Sequence, residues 1–100
     1  MQLRTQLYID GKWLDGAATI SVTDPSDESI IANVPVATDA HCALAIDAAD
    51  RAFQTWSKTA PRLRGEILRR AFEIMVAEAD RLAEIISKEN GKVLSDAKGE

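Results

Sequence analysis

A single cysteine, Cys42, in 100 residues leaves no internal disulfide and no multi-cysteine zinc site. Nothing else points to an oxidising compartment, so the cytoplasm is the expected location. No apolar run approaches the ~20 residues of a membrane span, and the opening Met-Gln-Leu-Arg-Thr-Gln-Leu-Tyr lacks the apolar core of a secretion signal. Internal repeats, heptad arrays and low-complexity stretches are absent too. An excess of basic charge is also missing: 12 basic residues against 16 acidic give a net charge of -4, which argues against a nucleic-acid or anionic-membrane role for the whole chain. The imbalance is local. Residues 1–60 carry 4 basic and 8 acidic groups, whereas 61–100 carry 8 of each and read as a mixed-charge helical surface.

What is present is the balance of an ordinary globular chain, 46% apolar and 28% charged. A chain of this length holds one core and buries about 60–68% of its unfolded surface, so its stability is expected to lean on a partner surface.

The first third reads as strands and turns. Asp10-Gly11 between Leu7-Tyr8-Ile9 and Lys12-Trp13-Leu14 predicts a tight hairpin, because glycine accepts positive φ without penalty. Asp15-Gly16 closes that unit. Thr19-Ile20-Ser21-Val22-Thr23 alternates as a half-buried strand does, and Asp24-Pro25-Ser26-Asp27 forms a turn before Ile30-Ile31-Ala32-Asn33-Val34, giving a second hairpin.

Helical patterning begins at Thr38, the expected N-cap, with Asp39 placed against the helix dipole. Cys42, Ile46, Ala49, Phe53 and Trp56 fall on one stripe of a helix from Asp39 to Trp56. The run from Pro61 to Asn90 is helical as well, with proline tolerated in the first turn and Gly91 a natural stop. One straight rod of that length would span about 43 Å, too long for a domain whose radius of gyration is about 13 Å. A break is therefore expected near Glu78-Ala79-Asp80, with Asp80 capping the second helix. Lys92 to Glu100 opens a further helix-compatible stretch and stops without a cap, as a chain cut within an element would.

Candidates for chemistry are few. Cys42 and His41 are adjacent, but neighbouring helix residues point about 100° apart, so the imidazole does not reach the sulfur; Cys42 is expected to be a small core residue and His41 a first-turn surface residue. Asp24, Asp27 and Glu28 fit turn chemistry better than a cation site or catalytic carboxylates. Arg62, Arg64, Arg69 and Arg70 form the one local basic cluster. Glu66 and Glu73, at i+4 from Arg62 and Arg69, favour an ion-paired solvated face over a nucleic-acid footprint. The glycines at 11, 16, 65, 91 and 99 build no phosphate-cradling loop. No catalytic, cofactor-binding or metal-binding residue is expected in this segment.

The order of these signals resembles the N-terminal portion of the aldehyde dehydrogenase superfamily. Tyr8-Ile9-Asp10-Gly11-Lys12-Trp13 is similar to the family's "(Y/L)I(D/N)G-x-W" opening; Val22-Thr23-Asp24-Pro25 and Val34-Pro35 follow in order. Then come Ala45-Ile46-Asp47-Ala48-Ala49-Asp50-Arg51-Ala52-Phe53 with Trp56, and Arg64-Gly65-Glu66-Ile67-Leu68-Arg69-Arg70. Glu89-Asn90-Gly91-Lys92 with Ala97-Lys98-Gly99-Glu100 is similar to "E-x-G-K-x-x-x-(E/D)-A-x-G-E". Residues 45–52 and 96–100 look most like succinate-semialdehyde dehydrogenases.

The resemblance implies an α/β fold in which residues 1–100 are the N-terminal segment of an NAD(P)-binding domain, with hairpins over 1–37 and amphipathic helices over 38–100, and with the catalytic domain outside this chain. It implies an enzyme that oxidises an aldehyde, such as succinate semialdehyde, to the carboxylate with NAD or NADP. The steps are thiolate attack, hydride transfer to nicotinamide and hydrolysis of a thioester. The family's "G-Q-x-C", "E-L-G-G" and "P-W-N" motifs are not in this sequence, so Cys42 does not match the nucleophile and the segment is expected to be structural and inactive alone. In some members, residues near the Asp-Pro turn and the segment's end help hold a structural cation; Val22, Thr23 and Glu100 correspond only loosely. Implied partners are the remainder of the dehydrogenase chain, a small aldehyde and further copies of the intact enzyme, with no nucleic acid or membrane. The other reading is a free-standing, non-catalytic helical interaction module derived from such a fragment. Phe53→Ala is expected to cost about 3–5 kcal/mol if that ring is fully buried.

Overall fold

Two glycines and one threonine punctuate most of the architecture. In the computed structural model, which describes residues 3–100, Asp10 (φ 53°) and Gly11 (φ 73°) form a two-residue turn of the twist-matched kind. The turn joins β1 (Leu7–Ile9) to β2 (Lys12–Leu14), antiparallel in the register Leu7↔Leu14, Tyr8↔Trp13 and Ile9↔Lys12. β3 (Thr19–Thr23) and β4 (Ile30–Pro35) make the second two-stranded ladder. Four helices follow: α1 (Asp39–Trp56), α2 (Pro61–Ala77), α3 (Ala79–Asn90) and the short α4 (Leu94–Ala97). The fold is thus the expected α/β order of two hairpins followed by helices. Met1 and Gln2, the start of the expected 1–37 hairpin region, lie outside the described residues.

Contacts divide the chain into two units. One holds the segment through Val22 together with Ala32–Lys58; the other holds Thr23–Ile31 together with Thr59–Glu100. In the first, α1 lies against β1, and Arg51 of α1 donates from Nη2 to Asp10 Oδ2 at 2.9 Å. The Tyr8 and Trp13 rings pack tilted at 4.7 Å between centroids, and the Arg4 guanidinium sits 5.0 Å from the Trp13 ring centre. Gly16 is where the backbone passes closest: a Cβ there would meet Pro35 Cβ at 2.9 Å and the Val36 carbonyl oxygen at 3.0 Å.

In the second unit α3 packs on α2 and α4. The break between α2 and α3 falls at Glu78, as expected from the length argument. Its backbone sits at φ -98°, ψ 10°, in the sparsely allowed bridge region, while its N–H still bonds to the Ile74 carbonyl at 3.0 Å. Asp80 does not cap the new helix. The cap position is Glu78, with no side-chain cap bond, and Asp80 instead pairs with Lys98 Nζ at 2.7 Å from the α4 side. A carboxylate in the first turn can take a cation offered by a neighbouring element rather than the helix's own N–H groups. Gly91 ends α3 in the left-handed region (φ 72°), its N–H bonded to the Ser87 carbonyl at 2.8 Å, and the Ser87 hydroxyl donates to the Lys92 carbonyl at 2.8 Å.

The core is very small. Ala83 (1% exposed) and Ala97 (3%) are the buried apolar residues among those described. The chain exposes 7836 Å², against about 5,600 Å² for a folded monomer of this mass. The α1 stripe is no exception. Cys42 is exposed, and so are Ile46 and Phe53, the latter at 62%. Its spacing fixes a face but supplies nothing to lie on it. The expectation that Cys42 is a buried core residue is therefore corrected, and the condition attached to the cost of Phe53→Ala is not met within this chain.

Candidate functional site

His41, the acidic turn and Arg69 are engaged in local structure, whereas Cys42 is a free, exposed thiol. His41 stands at the third position of α1 and is half-buried. Its Nδ1 accepts from the Thr38 N–H at 3.1 Å while its own N–H donates to Thr38 Oγ1 at 3.3 Å, a reciprocal cap that satisfies two N–H groups at the helix start. An imidazole whose Nδ1 is committed to the backbone leaves that nitrogen unable to take a proton from a thiol, and Cys42 points about 100° away around the helix.

The acidic turn is likewise self-contained. Asp24 Oδ1 accepts from the Ser26 N–H (2.8 Å) and the Ser26 hydroxyl (2.6 Å), and Asp27 Oδ1 accepts from the Ser29 N–H (2.9 Å). The Ser29 bonds hold the Asp27 carboxyl below its ordinary range. Glu28 takes a left-handed backbone (φ 62°), and its N–H bonds to the Asp24 carbonyl at 2.8 Å. Turn chemistry engages the Asp24 and Asp27 carboxylates, and Glu28 takes part through its backbone.

On α2 the ion pairs of the basic cluster converge on Arg69, with one change of partner. Glu66 Oε2 meets Arg69 Nη2 at 2.9 Å rather than Arg62, and Glu73 pairs with the same Arg69. One guanidinium can serve two carboxylates from its forked donors, and the i,i+3 and i,i+4 positions place both within reach. Among the described residues no group of three or more His, Cys, Asp or Glu could hold a metal ion, and the Glu100 carboxylate pairs with Lys92. The glycines occupy a hairpin turn, a loop, a helix interior, a helix end and the final turn. None opens a helix after a strand as a dinucleotide cradle would. No described helix is long and apolar enough to cross a membrane.

What remains is surface. In one unit α1 leaves Leu44, Ile46, Phe53 and Trp56 exposed, and in the other α2 leaves Leu63, Ile67, Leu68 and Phe72 exposed, so each helix by itself carries an uncovered apolar face. The tertiary pairs Arg51–Asp10 and Lys98–Asp80 carry no sequence signal, because 41 residues separate the first and 18 the second.

The model of the aldehyde dehydrogenase family matches residues 13–100. A glutarate-semialdehyde dehydrogenase of Pseudomonas putida is 42% identical over 97% of this chain and 21% of its own length. A succinate-semialdehyde dehydrogenase [NADP(+)] of Saccharomyces cerevisiae is 45% identical over 93% of this chain and 19% of its own. Among solved structures, a succinate-semialdehyde dehydrogenase from Burkholderia pseudomallei superposes with a TM-score of 0.94 at 40% identity, covering 97% of this chain and 20% of that one. The chain spans about a fifth of the length of the curated relatives it matches.

Proposed function

The chain belongs to the aldehyde dehydrogenase family, and from that premise we propose that it is the structural N-terminal segment of an NAD(P)-dependent semialdehyde dehydrogenase. Succinate semialdehyde is the expected substrate, and the carboxylate its product. The reading takes its support from the names of the relatives and from the resemblance of residues 45–52 and 96–100 to succinate-semialdehyde enzymes. Nicotinamide cofactor, nucleophilic cysteine and general base all belong to the part of the enzyme outside these 100 residues; this segment supplies none of them. Its domain role is the outer layer of the cofactor-binding domain, and the intact enzyme is a cytoplasmic homo-oligomer.

The observation that carries the structural role is the exposure of the apolar face of α1. Phe53 is 62% exposed and Ile46 69%, although burying such side chains would be worth about 1.5–3 kcal/mol each. A face built at that cost has a covering in the working protein, and four-fifths of a dehydrogenase is the covering the family offers.

The test is a reduced-cofactor absorbance assay on the longest natural product carrying these residues, with succinate, glutarate and malonate semialdehydes in turn. Turnover by the long product and none by the 100-residue chain supports the reading. A natural product of 100 residues that folds cooperatively, self-associates and turns nothing over would replace it with the interaction module, which the same exposed residues also suit.

A further inference from the structure

At 100° per residue, the apolar side chains of α2 cover an arc of about 220°. Leu63, Ile67 and Ile74 stand on one side of that arc and Met75, Leu68 and Phe72 on the other, all exposed. Arg64 falls at its centre. Helices apolar over so wide an arc are covered from more than one direction, not from a single face. Arg64 is also the one residue of α2 that is half-buried, the others being exposed, and its Nε is buried with no hydrogen-bond acceptor. The ion-paired carboxylates of its own unit are held by other cations: Glu66 and Glu73 by Arg69, Glu78 by Arg81, Asp80 by Lys98, Glu84 by Lys88 and Glu100 by Lys92.

We propose that Arg64 is a positioning residue whose guanidinium pairs with a carboxylate supplied by the part of the dehydrogenase chain that covers α2. The inference rests on the dehydrogenase reading above and adds a specific contact to it. When the arc is covered, the guanidinium leaves water, and a permanent charge in apolar surroundings is tolerated only with an opposite charge and its donors satisfied. Neutral carbonyls would meet the donors and leave the charge; a carboxylate meets both, in the planar two-point geometry that suits arginine.

The experiment compares Arg64→Met, Arg64→Lys and Arg64→Gln in the full-length dehydrogenase by thermal unfolding at pH 7.5 and pH 5.5. Arg64→Met should unfold at a lower temperature than the parent at the higher pH. The gap should narrow at the lower pH, because a carboxylate abandoned in an apolar site has a raised pKa and takes up a proton more readily in the folded state. Arg64→Lys, which keeps the charge, should recover more of the loss than Arg64→Gln, which keeps only donors. If Arg64→Met does not fold, the comparison of Lys with Gln decides alone. A gap of equal size at both pH values, a Gln variant as stable as the Lys variant, or no loss in any variant overturns the proposal. Turnover of the parent enzyme tests the dehydrogenase reading separately, so the two can fail independently.

Discussion

Gly91 lies so close to Pro25 that a Cβ on the glycine would stand 2.9 Å from the proline Cγ. The contact joins the tip of the second hairpin to the end of α3 within one unit, and it links two sequence motifs separated by 66 positions. Glycine is required there twice over: once for its left-handed backbone, φ 72°, and once for the space.

Gly91→Ala should therefore destabilise the protein that carries this segment by about 2 kcal/mol, combining the roughly 1 kcal/mol cost of the left-handed conformation with the displaced contact. Adding Pro25→Ala should return the packing part and leave the backbone part. Denaturant unfolding of the two single variants and the double variant measures the coupling; strict additivity would mean that the two residues do not meet.

Two other glycines should respond in opposite directions. A Cβ at Gly16 would meet Pro35 and the Val36 carbonyl at 2.9 and 3.0 Å, whereas one at Gly65, inside α2, would meet nothing within 4 Å. Gly16→Ala is expected to cost on the order of 1–3 kcal/mol through overpacking. Gly65→Ala should raise the helicity of the 100-residue chain and stabilise α2 by about 0.5–1 kcal/mol. Circular dichroism with denaturant titration reads both, and equal effects would contradict the difference in surroundings.

The hydrogen bond and charge of Lys98 hold the Asp80 carboxyl below its ordinary range. A group with a depressed folded-state pKa contributes stability that is present above its unfolded value, about 3.9, and is lost as pH falls through the folded pKa. In Lys98→Met the Asp80 carboxyl carbon should titrate at a higher pH than in the parent, and raising the salt concentration should move the parent the same way. An NMR titration that gives one midpoint for both proteins would exclude the pair in solution.

Phe53→Ala offers a test of covering. On the isolated chain its effect should be below about 1 kcal/mol, since the ring is already in water; in an intact dehydrogenase it should reach about 3–5 kcal/mol. Comparable losses in both, measured by unfolding, would mean that the face stays bare in the enzyme.

Much of the local architecture was determined by the sequence by itself. Asp10-Gly11 dictates the first turn because two successive positive φ values suit those residue types, Thr38 and Pro61 start helices through backbone groups one turn away, and Gly91 stops one through its own φ. The order of motifs also revealed the family. Tertiary structure decided the rest, since it depends on residues far apart in the chain. The stripe through Cys42 and Phe53 marks a face, but whether that face is buried depends on what lies across it, and Cys42, Ile46 and Phe53 are exposed. Asp80 was legible as a capping residue and became a partner of Lys98; Glu66 was legible as a partner of Arg62 and joined Arg69. In each case periodicity left several acceptable neighbours open, and the distance between side chains in the folded chain selected among them.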